Sequence, residues 1–314
     1  MQLFNPITRK ELRTYFLSPV ALIFIATFLL SAFFAFFWIE GFFSRNLANI
    51  RPLFEWLPIL LLFLVPALGM RLWSEEDRMG TIELLQTFPI GTGSLVISKF
   101  IAGLALITVA LALTFSIPLT VNLLGNLDWG PVWGGYLATI LLAAMYLAIT
   151  LCISAMTSSQ LIALVFSSLA CGLLYLVGSP PVVQLFGTSF GEILRSIGAG
   201  SRFESILRGV IDLRDILYYA SLTTFFLLLN TVLLEARRWS NSPRRKNQRF
   251  GRQLSLVLIG LNLLALNIIV APQRSLRIDL TEQNEFTISD VTKDLLKGID
   301  EPLLIRGYFS NKTH

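Results

Sequence analysis

Histidine occurs once in the 314 residues, at the last position, His314, and cysteine twice, as Cys152 and Cys171. A lone terminal histidine leaves no Ser–His–Asp triad, no histidine metal site and no histidine proton relay inside the chain. Both cysteines fall in long apolar stretches, where they read as small packing residues rather than as a disulfide or metal pair. Charge is scarce as well: Asp, Glu, Lys and Arg make up 14% of the chain, against about 25% in ordinary soluble domains. No G-x-x-x-x-G-K-[ST] phosphate loop occurs; GTGSLVISK, over 91–99, has the glycines and the lysine at the wrong spacing. H-E-x-x-H and G-x-S-x-G are missing too, so no catalytic residue or cofactor site is expected in this chain.

Apolar residues dominate instead. A hydrophobic fraction of 54% and a mean hydropathy of +0.68 mark an integral membrane protein. Hydrocarbon offers no partners for backbone N–H and C=O groups, so each crossing needs a helix of roughly 20 mostly apolar residues. Seven stretches meet that length: 19–39, 53–73, 98–123, 132–156, 160–178, 216–236 and 252–272. The first is not a removable signal peptide, because a structured basic segment precedes it and a small-residue cleavage site is missing.

Orientation follows from lysine and arginine in short loops. Arg9, Lys10 and Arg13 precede the first span, Arg71, Arg78 and Lys99 flank the loop after the second, and seven basic residues between Arg237 and Arg252 follow the sixth. Across the membrane, the loop after the first span has only Arg45 and Arg51, and that around Asp128 has neither lysine nor arginine. The N-terminus is therefore expected in the cytoplasm and the tail after 272 outside it. The net charge of +5 comes mostly from the cytoplasmic clusters and suits anionic headgroups, not nucleic acid.

Four connections carry pattern beyond plain loops. In NPITRKELRTYFLSP, Asn5 and Pro6 start a helix that Ser18-Pro19 breaks. Ile7, Leu12, Tyr15 and Phe16 oppose Arg9, Lys10 and Arg13, and with Glu11 these form a candidate interfacial helix. In WSEEDRMGTIELLQTFP, Ser74 is placed to cap a helix opening on Glu75, Glu76 and Asp77; Gly80 weakens it, and Thr81 to Phe88 adds an apolar ridge. Ser94 is placed to cap the next helix. So ordered and acidic a connection suggests a docking surface.

Between 179 and 215, Phe203, Ile206, Leu207, Val210 and Ile211 have helical spacing opposite Arg202, Glu204, Arg208 and Asp212. This segment reads as helices along the outer surface, forming either a lid over a pathway or an interfacial cap. After the last span the sequence turns polar: Ser289 or Thr287 can cap a helix to Leu296, with Thr287-x-x-Asp290 as a capping box and Gly298 ending it, and strand-like alternation runs from Leu303 to Phe309. One helix and one strand bury no core, so the chain is expected to stop inside a larger domain.

The amphipathic start, the six spans and above all EEDRMGTIELLQTFPI before GTGSLVISKF resemble the membrane subunit of a type 2 exporter-class ABC transporter. SRFESILRGVIDLRDILYY is similar to the outer loop of the gliding-motility (Gld) type permeases, whose relatives include permeases linked to copper-enzyme maturation. RIDLTEQNEFTISDVTKDLL is similar to the start of the Gld-type auxiliary component, here fused to the permease. The resemblance implies an all-α polytopic fold: a six-span permease over 1–240 with its interfacial helix, a basic linker over 241–251, a seventh span over 252–272, and an incomplete extracytoplasmic α/β domain over 273–314. It implies a bacterial inner-membrane location, a second permease copy, contact with lipid, and a separate cytoplasmic ATPase that holds the ATP and Mg. It assigns ATPase coupling to Glu75, Glu76, Asp77, Arg78, Gly80, Thr81, Glu83 and Leu84, and an outer lid to Phe203, Arg208, Gly209 and Asp212.

Two further readings compete with export. The fused tail suits a complex that transmits force or serves as a scaffold and moves nothing across. Ion-coupled transport is disfavoured, because no ionisable residue is expected deep inside the six main spans.

Overall fold

In the computed structural model, residues 4–45, 47–82, 91–185, 191, 194–237, 243–270, 277–282, 285–287 and 290–297 are described. The amphipathic start forms α1 (Phe4–Leu17). Ser18 leaves the helical region at ψ 147° and Pro19 opens α2 (Pro19–Phe33), as the Ser-Pro break predicts. The phenylalanine-rich end of that span winds on as a π-helix over Phe34–Ile39 and is followed by α3 (Phe42–Arg45). The second apolar stretch is α4 (Arg51–Gly69), with α5 (Arg71–Arg78) directly after it.

The third stretch is split into α6 (Thr92–Leu113) and α7 (Ser116–Leu124). Pro118 lacks the N–H that would bond back to Thr114, and the ladder breaks there. Then come α8 (Trp129–Ser154), α9 (Gln160–Leu176), α10 (Pro180–Leu185) and α11 (Ala199–Leu207). The chain ends with β1 (Val210–Asp212), α12 (Leu213–Arg237), α13 (Pro243–Val270), β2 (Arg277–Asp279) and α14 (Asp290–Lys297).

Among the described residues six helical segments are long and apolar enough to cross a membrane, not seven. The exception is α9, whose helix has 17 residues. It packs along α8 and α4, against α5 near one end and α11 near the other. The hub is α8: 72% of its apolar window is buried, and α4, α6, α9, α11 and α12 all pack on it. The last span, over 251–270, has none of its window buried and lies against α12, where Asn267 donates to the Ser221 hydroxyl at 2.8 Å. Lipid tails are as apolar as leucine, so close backbone approach rather than apolar burial holds such helices together.

Small residues on α8 supply that approach. A methyl group at Gly134 would sit 2.5 Å from the Ile206 carbonyl oxygen, and one at Gly135 2.6 Å from the Phe54 ring. At Gly130 it would meet the Leu280 carbonyl group and lie 2.8 Å from the Thr281 Cα, so this glycine seats the tail on the bundle. Gly130→Ala should cost about 1–3 kcal/mol at that contact. The readout is amide hydrogen exchange over 277–282, expected to quicken roughly tenfold or more while α8 itself stays protected. Unchanged exchange would show that the tail does not rest on Gly130.

The segment before α12 departs from the helical reading. The α11 helix stops at Leu207, Gly209 takes φ +85°, and Val210–Asp212 pairs antiparallel with Arg277–Asp279, Ile211 opposite Ile278. The positive φ ends the helix, and the valine-isoleucine pair suits a strand better than a helix. The partner strand, Arg-Ile-Asp, was not expected. Asp279 anchors the chain just beyond β2: one carboxylate oxygen accepts from the Thr281 N–H (3.1 Å) and hydroxyl (2.6 Å), the other from the Phe286 N–H (2.9 Å) and the Thr287 hydroxyl (3.0 Å). Slight burial pushes this carboxyl up, but those hydrogen bonds outweigh it and hold it below its ordinary value. Thr287 is thus bonded to Asp279, although α14 begins at Asp290, close to where the capping box placed it. The strand expected over 303–309, with Gly298, lies outside the described residues.

Candidate functional site

Two polar clusters interrupt the apolar bundle, one at each end of α8. The Ser154 hydroxyl, at its C-terminal end, donates to the Met70 carbonyl (2.9 Å) and accepts from the N–H groups of Trp73 and Ser74 (3.2 Å each). Gly130, at the other end, faces the Leu280 carbonyl. At 1.5 Å of rise per residue these points are roughly 36 Å apart.

The Ser154 contacts explain why Ser74 is not the helix cap that its position suggested. Backbone groups around the Met70 bend find their partner in α8, so α5 starts at Arg71, and Ser74, within it, donates its hydroxyl back to the Met70 carbonyl. Ser94 is likewise inside α6, whose cap is Gly91. With α6 beginning at Thr92, Lys99 lies two turns into a helix and is 4% exposed, where a loop lysine was expected.

Lys99 ties three elements together. Its Nζ is 2.7 Å from Glu76 Oε1 on α5 and 3.6 Å from Glu11 Oε1 on α1, and it lies 5.0 Å from the centroid of the buried Trp73 ring. Two carboxylates meet one ammonium here, and Glu76 Oε2 is buried with no hydrogen-bond partner. The Tyr15 hydroxyl faces the same cluster; burial, and then the charges of Glu11 and Glu76, raise its pKa above the ordinary value of 10.0. Thr8 donates to the Ser98 hydroxyl at 3.3 Å, fixing α1 to α6 a turn away. Thr92 donates to Glu235 of α12 at 2.7 Å, and Glu235 also pairs with Arg252 of α13.

The residues singled out for coupling therefore divide. Glu76 faces inward, whereas Glu75 is half-buried and paired with Arg71 at 3.3 Å, one turn back. Asp77 is half-buried, and Arg78 and Gly80 are exposed. Gly80 takes φ +69° and terminates α5, with Met79 N–H bonded to the Glu75 carbonyl at 3.0 Å. Thr81 donates to the Glu76 carbonyl at 3.2 Å, and Ile82 is buried. Glu83 and Leu84 lie outside the described residues. On α1, Arg9, Lys10 and Arg13 are exposed as expected; Glu11 turns inward, and Phe16, on the apolar face expected at the interface, is 46% exposed.

At the other end Phe203 is buried edge-on against Tyr175, as its apolar position predicts. Arg208 is exposed, and Gly209 is enclosed: a methyl group there would meet Thr281, Gly130 and Pro131 at 3.0–3.1 Å. Asp212, expected on the polar face, is 4% exposed because the chain is a strand at that point, and it pairs with Arg214 at 2.8 Å. Asp215, 1% exposed, pairs with Arg202 at 2.8 Å, and Arg202 stacks over Tyr218. A cavity of about 490 Å³ opens between these residues, with Arg195, Arg208 and Arg277 at its wall.

Lys99, Arg202, Arg214 and Asp215 are the residues that sequence reasoning missed as a site. Their signal was present in LVISKFIAG, a lysine inside an apolar run, and in Asp212-Leu-Arg-Asp215 at the mouth of a span. An ionisable group in either setting needs a partner, and that need points to a cluster.

Comparison with known proteins bears on the membrane-spanning part of the chain. No curated protein matches it. A family model described as ABC-2 family transporter protein matches residues 5–271, which takes in every helix of both clusters. The chain belongs to the ABC-2 family of transporter membrane proteins.

Proposed function

We propose that this ABC transporter membrane subunit receives the motion of its partner ATPase at the Lys99 end and passes it to the spans as one unit. The observation that carries this reading is the Glu11–Lys99–Glu76 triad. It locks the amphipathic helix α1 and the acidic helix α5, to which the family resemblance assigns ATPase coupling, onto α6. A push on α5 is then delivered to α6 through a short, half-buried ion pair and to α8 through Ser154. Glu75 and Asp77, on the more open side of α5, are the carboxylates placed to meet lysine or arginine of the ATPase.

In this reading the Lys99 end is cytoplasmic. Its support is the concentration there of Arg9, Lys10, Arg13, Arg71 and Arg78, with Arg237 and the basic linker beyond. At the opposite end Arg45, Arg51, Arg202 and Arg214 are each paired with a carboxylate. Placing α9 as a further crossing, from the α5 end to the α11 end, leaves α1 and the β2 tail on opposite sides. The protein acts in an inner membrane, as an exporter built from two permease copies and two ATPase subunits and bathed in lipid. A Gld-like assignment accounts for the strand pairing between the outer segment and the fused tail.

The test is ATPase activity of the complex reconstituted with its ATPase subunit. Glu75→Lys with Asp77→Lys should lower stimulation of the ATPase by about tenfold or more and leave membrane insertion unchanged. Glu76 is kept, because reversing it would break the internal triad and confuse docking with unfolding. Unchanged stimulation would place the energy input elsewhere.

A second reading is favoured by the pairing of β1 with β2, which ties the tail to the segment entering α12. ATP turnover could move the tail with nothing crossing the membrane. This reading requires ATP to alter hydrogen exchange of β2 in vesicles that contain no transportable solute.

A further inference from the structure

The cavity of about 490 Å³ at the end opposite Lys99 has an unusual wall. Arg195, Arg202, Arg208, Arg214 and Arg277 line it, supplied by four separate parts of the chain, and Ser196, Ser201 and Ser205 stand among them. Asp212 and Asp215 also reach it, but each is held within the wall, Asp212 by Arg214 at 2.8 Å and Asp215 by Arg202 at 2.8 Å. That leaves Arg195, Arg208 and Arg277 against Glu204, a surplus of two positive charges around an open volume. Neither Arg195 nor Arg208 has an ion-pair partner among the described residues, and both are exposed. The buried part is constructed: Arg202 also donates to the Ser196 carbonyl (3.2 Å) and stacks on Tyr218, and its Nε has no acceptor among the described residues.

Like charges gathered without counter-charge repel one another, and that is tolerated when something else supplies the negative charge. Guanidinium forks match the oxygens of a phosphate bidentately, and a chamber of this size lies within the range of small-ligand sites. The apolar residues of α11 and β1 face inward to the bundle, which leaves the arginines and serines for the cavity.

We propose that this cavity binds a phosphate group carrying at least two negative charges or presented by an anionic headgroup, with Arg195 and Arg208 as its principal ligands. Arg202 and Arg214 are positioning residues, fixed by Asp215 and Asp212, that hold the wall in shape. The group can arrive on a soluble phosphorylated molecule or on a membrane phospholipid, since the same oxygens are presented in both cases. The proposal does not depend on how the ATPase couples to the chain.

The experiment uses the purified full chain in neutral detergent, without the ATPase, so its failure leaves the proposed function standing. Inorganic pyrophosphate is titrated by calorimetry, and phosphatidylglycerol is compared with phosphatidylcholine by native mass spectrometry. Wild-type protein should bind pyrophosphate, or retain phosphatidylglycerol in preference to phosphatidylcholine, and the binding should weaken as salt is raised. Arg195→Ala with Arg208→Ala should weaken it at least tenfold without lowering Tm, since neither residue has an ion-pair partner among the described residues to leave stranded. Pyrophosphate binding identifies a soluble source and phosphatidylglycerol retention alone a lipid source; either supports the site. No binding of either probe to wild type, or equal binding to the double variant, overturns it. So does an equal loss in Arg244→Ala with Arg245→Ala, which removes the same charge from the distant basic segment.

Discussion

Lys99→Met should be among the most damaging single substitutions in this protein. It removes a cation that is 4% exposed and leaves Glu76 and Glu11 facing each other with nothing between them. Breaking a buried ion pair from one side costs about 3–5 kcal/mol, because the remaining charge stays desolvated and unpaired. The Trp73 ring loses its cation as well. In a chain of this size the expected fall in Tm is on the order of 10 °C. Hydrogen exchange should locate the damage in α1 and α5, which lose their shared anchor on α6. If charge is the cause, adding Glu11→Gln and Glu76→Gln to Lys99→Met should recover most of the loss, since no buried charge is then stranded. Failure of the triple variant to recover would mean that Lys99 acts by filling space. ATPase stimulation should fall with the single substitution and stay low in the triple, because the repacked helices are no longer held to α6 by an ion pair.

Much of the architecture was legible because the bilayer imposes so much of it. Long apolar runs and the Ser18-Pro19 break reappear as elements or their ends. Phe203, Ile206 and Leu207 were correctly grouped on one apolar helix face, which the bundle buries, since α11 is a helix as far as Leu207. Three polar residues were misread because the group that fixes their setting lies far away in sequence. Ser74 read as a cap until Ser154, 80 residues on, took the backbone groups at the bend. Lys99 read as a loop charge, and its partner Glu76 is 23 residues back. Asp212 read as the polar face of a helix, but Gly209 at φ +85° turned the chain into a strand whose partner begins at Arg277. Local pattern specifies what is apolar and where helices break; it does not say which buried charges meet.

The second large effect is expected at the other end of α8. Arg202→Met removes the 2.8 Å partner of Asp215, a carboxylate 1% exposed whose second oxygen already lacks a hydrogen-bond partner. Arg214 remains, but its Nε is 3.8 Å from Asp215 and is engaged with Asp212 at 2.8 Å, so it compensates little. The expected cost is again about 3–5 kcal/mol, and Arg202→Met with Asp215→Asn should recover most of it. Exchange should quicken in β1 and the first turn of α12, which Asp215 anchors, and leave α1 and α5 unchanged. That contrast gives the pair of substitutions their use. The two clusters lie at opposite ends of α8, whose Gly130 and Ser154 are roughly 36 Å apart, and distant sites with no shared partner add within about 0.5 kcal/mol, so Lys99→Met and Arg202→Met should be additive in the chain alone. In the complex with its ATPase, an energy-transmitting subunit must link these ends, and the two costs should there depart from additivity only when ATP is bound. Additivity under every condition would mean that α8 connects the two clusters in space without carrying energy between them.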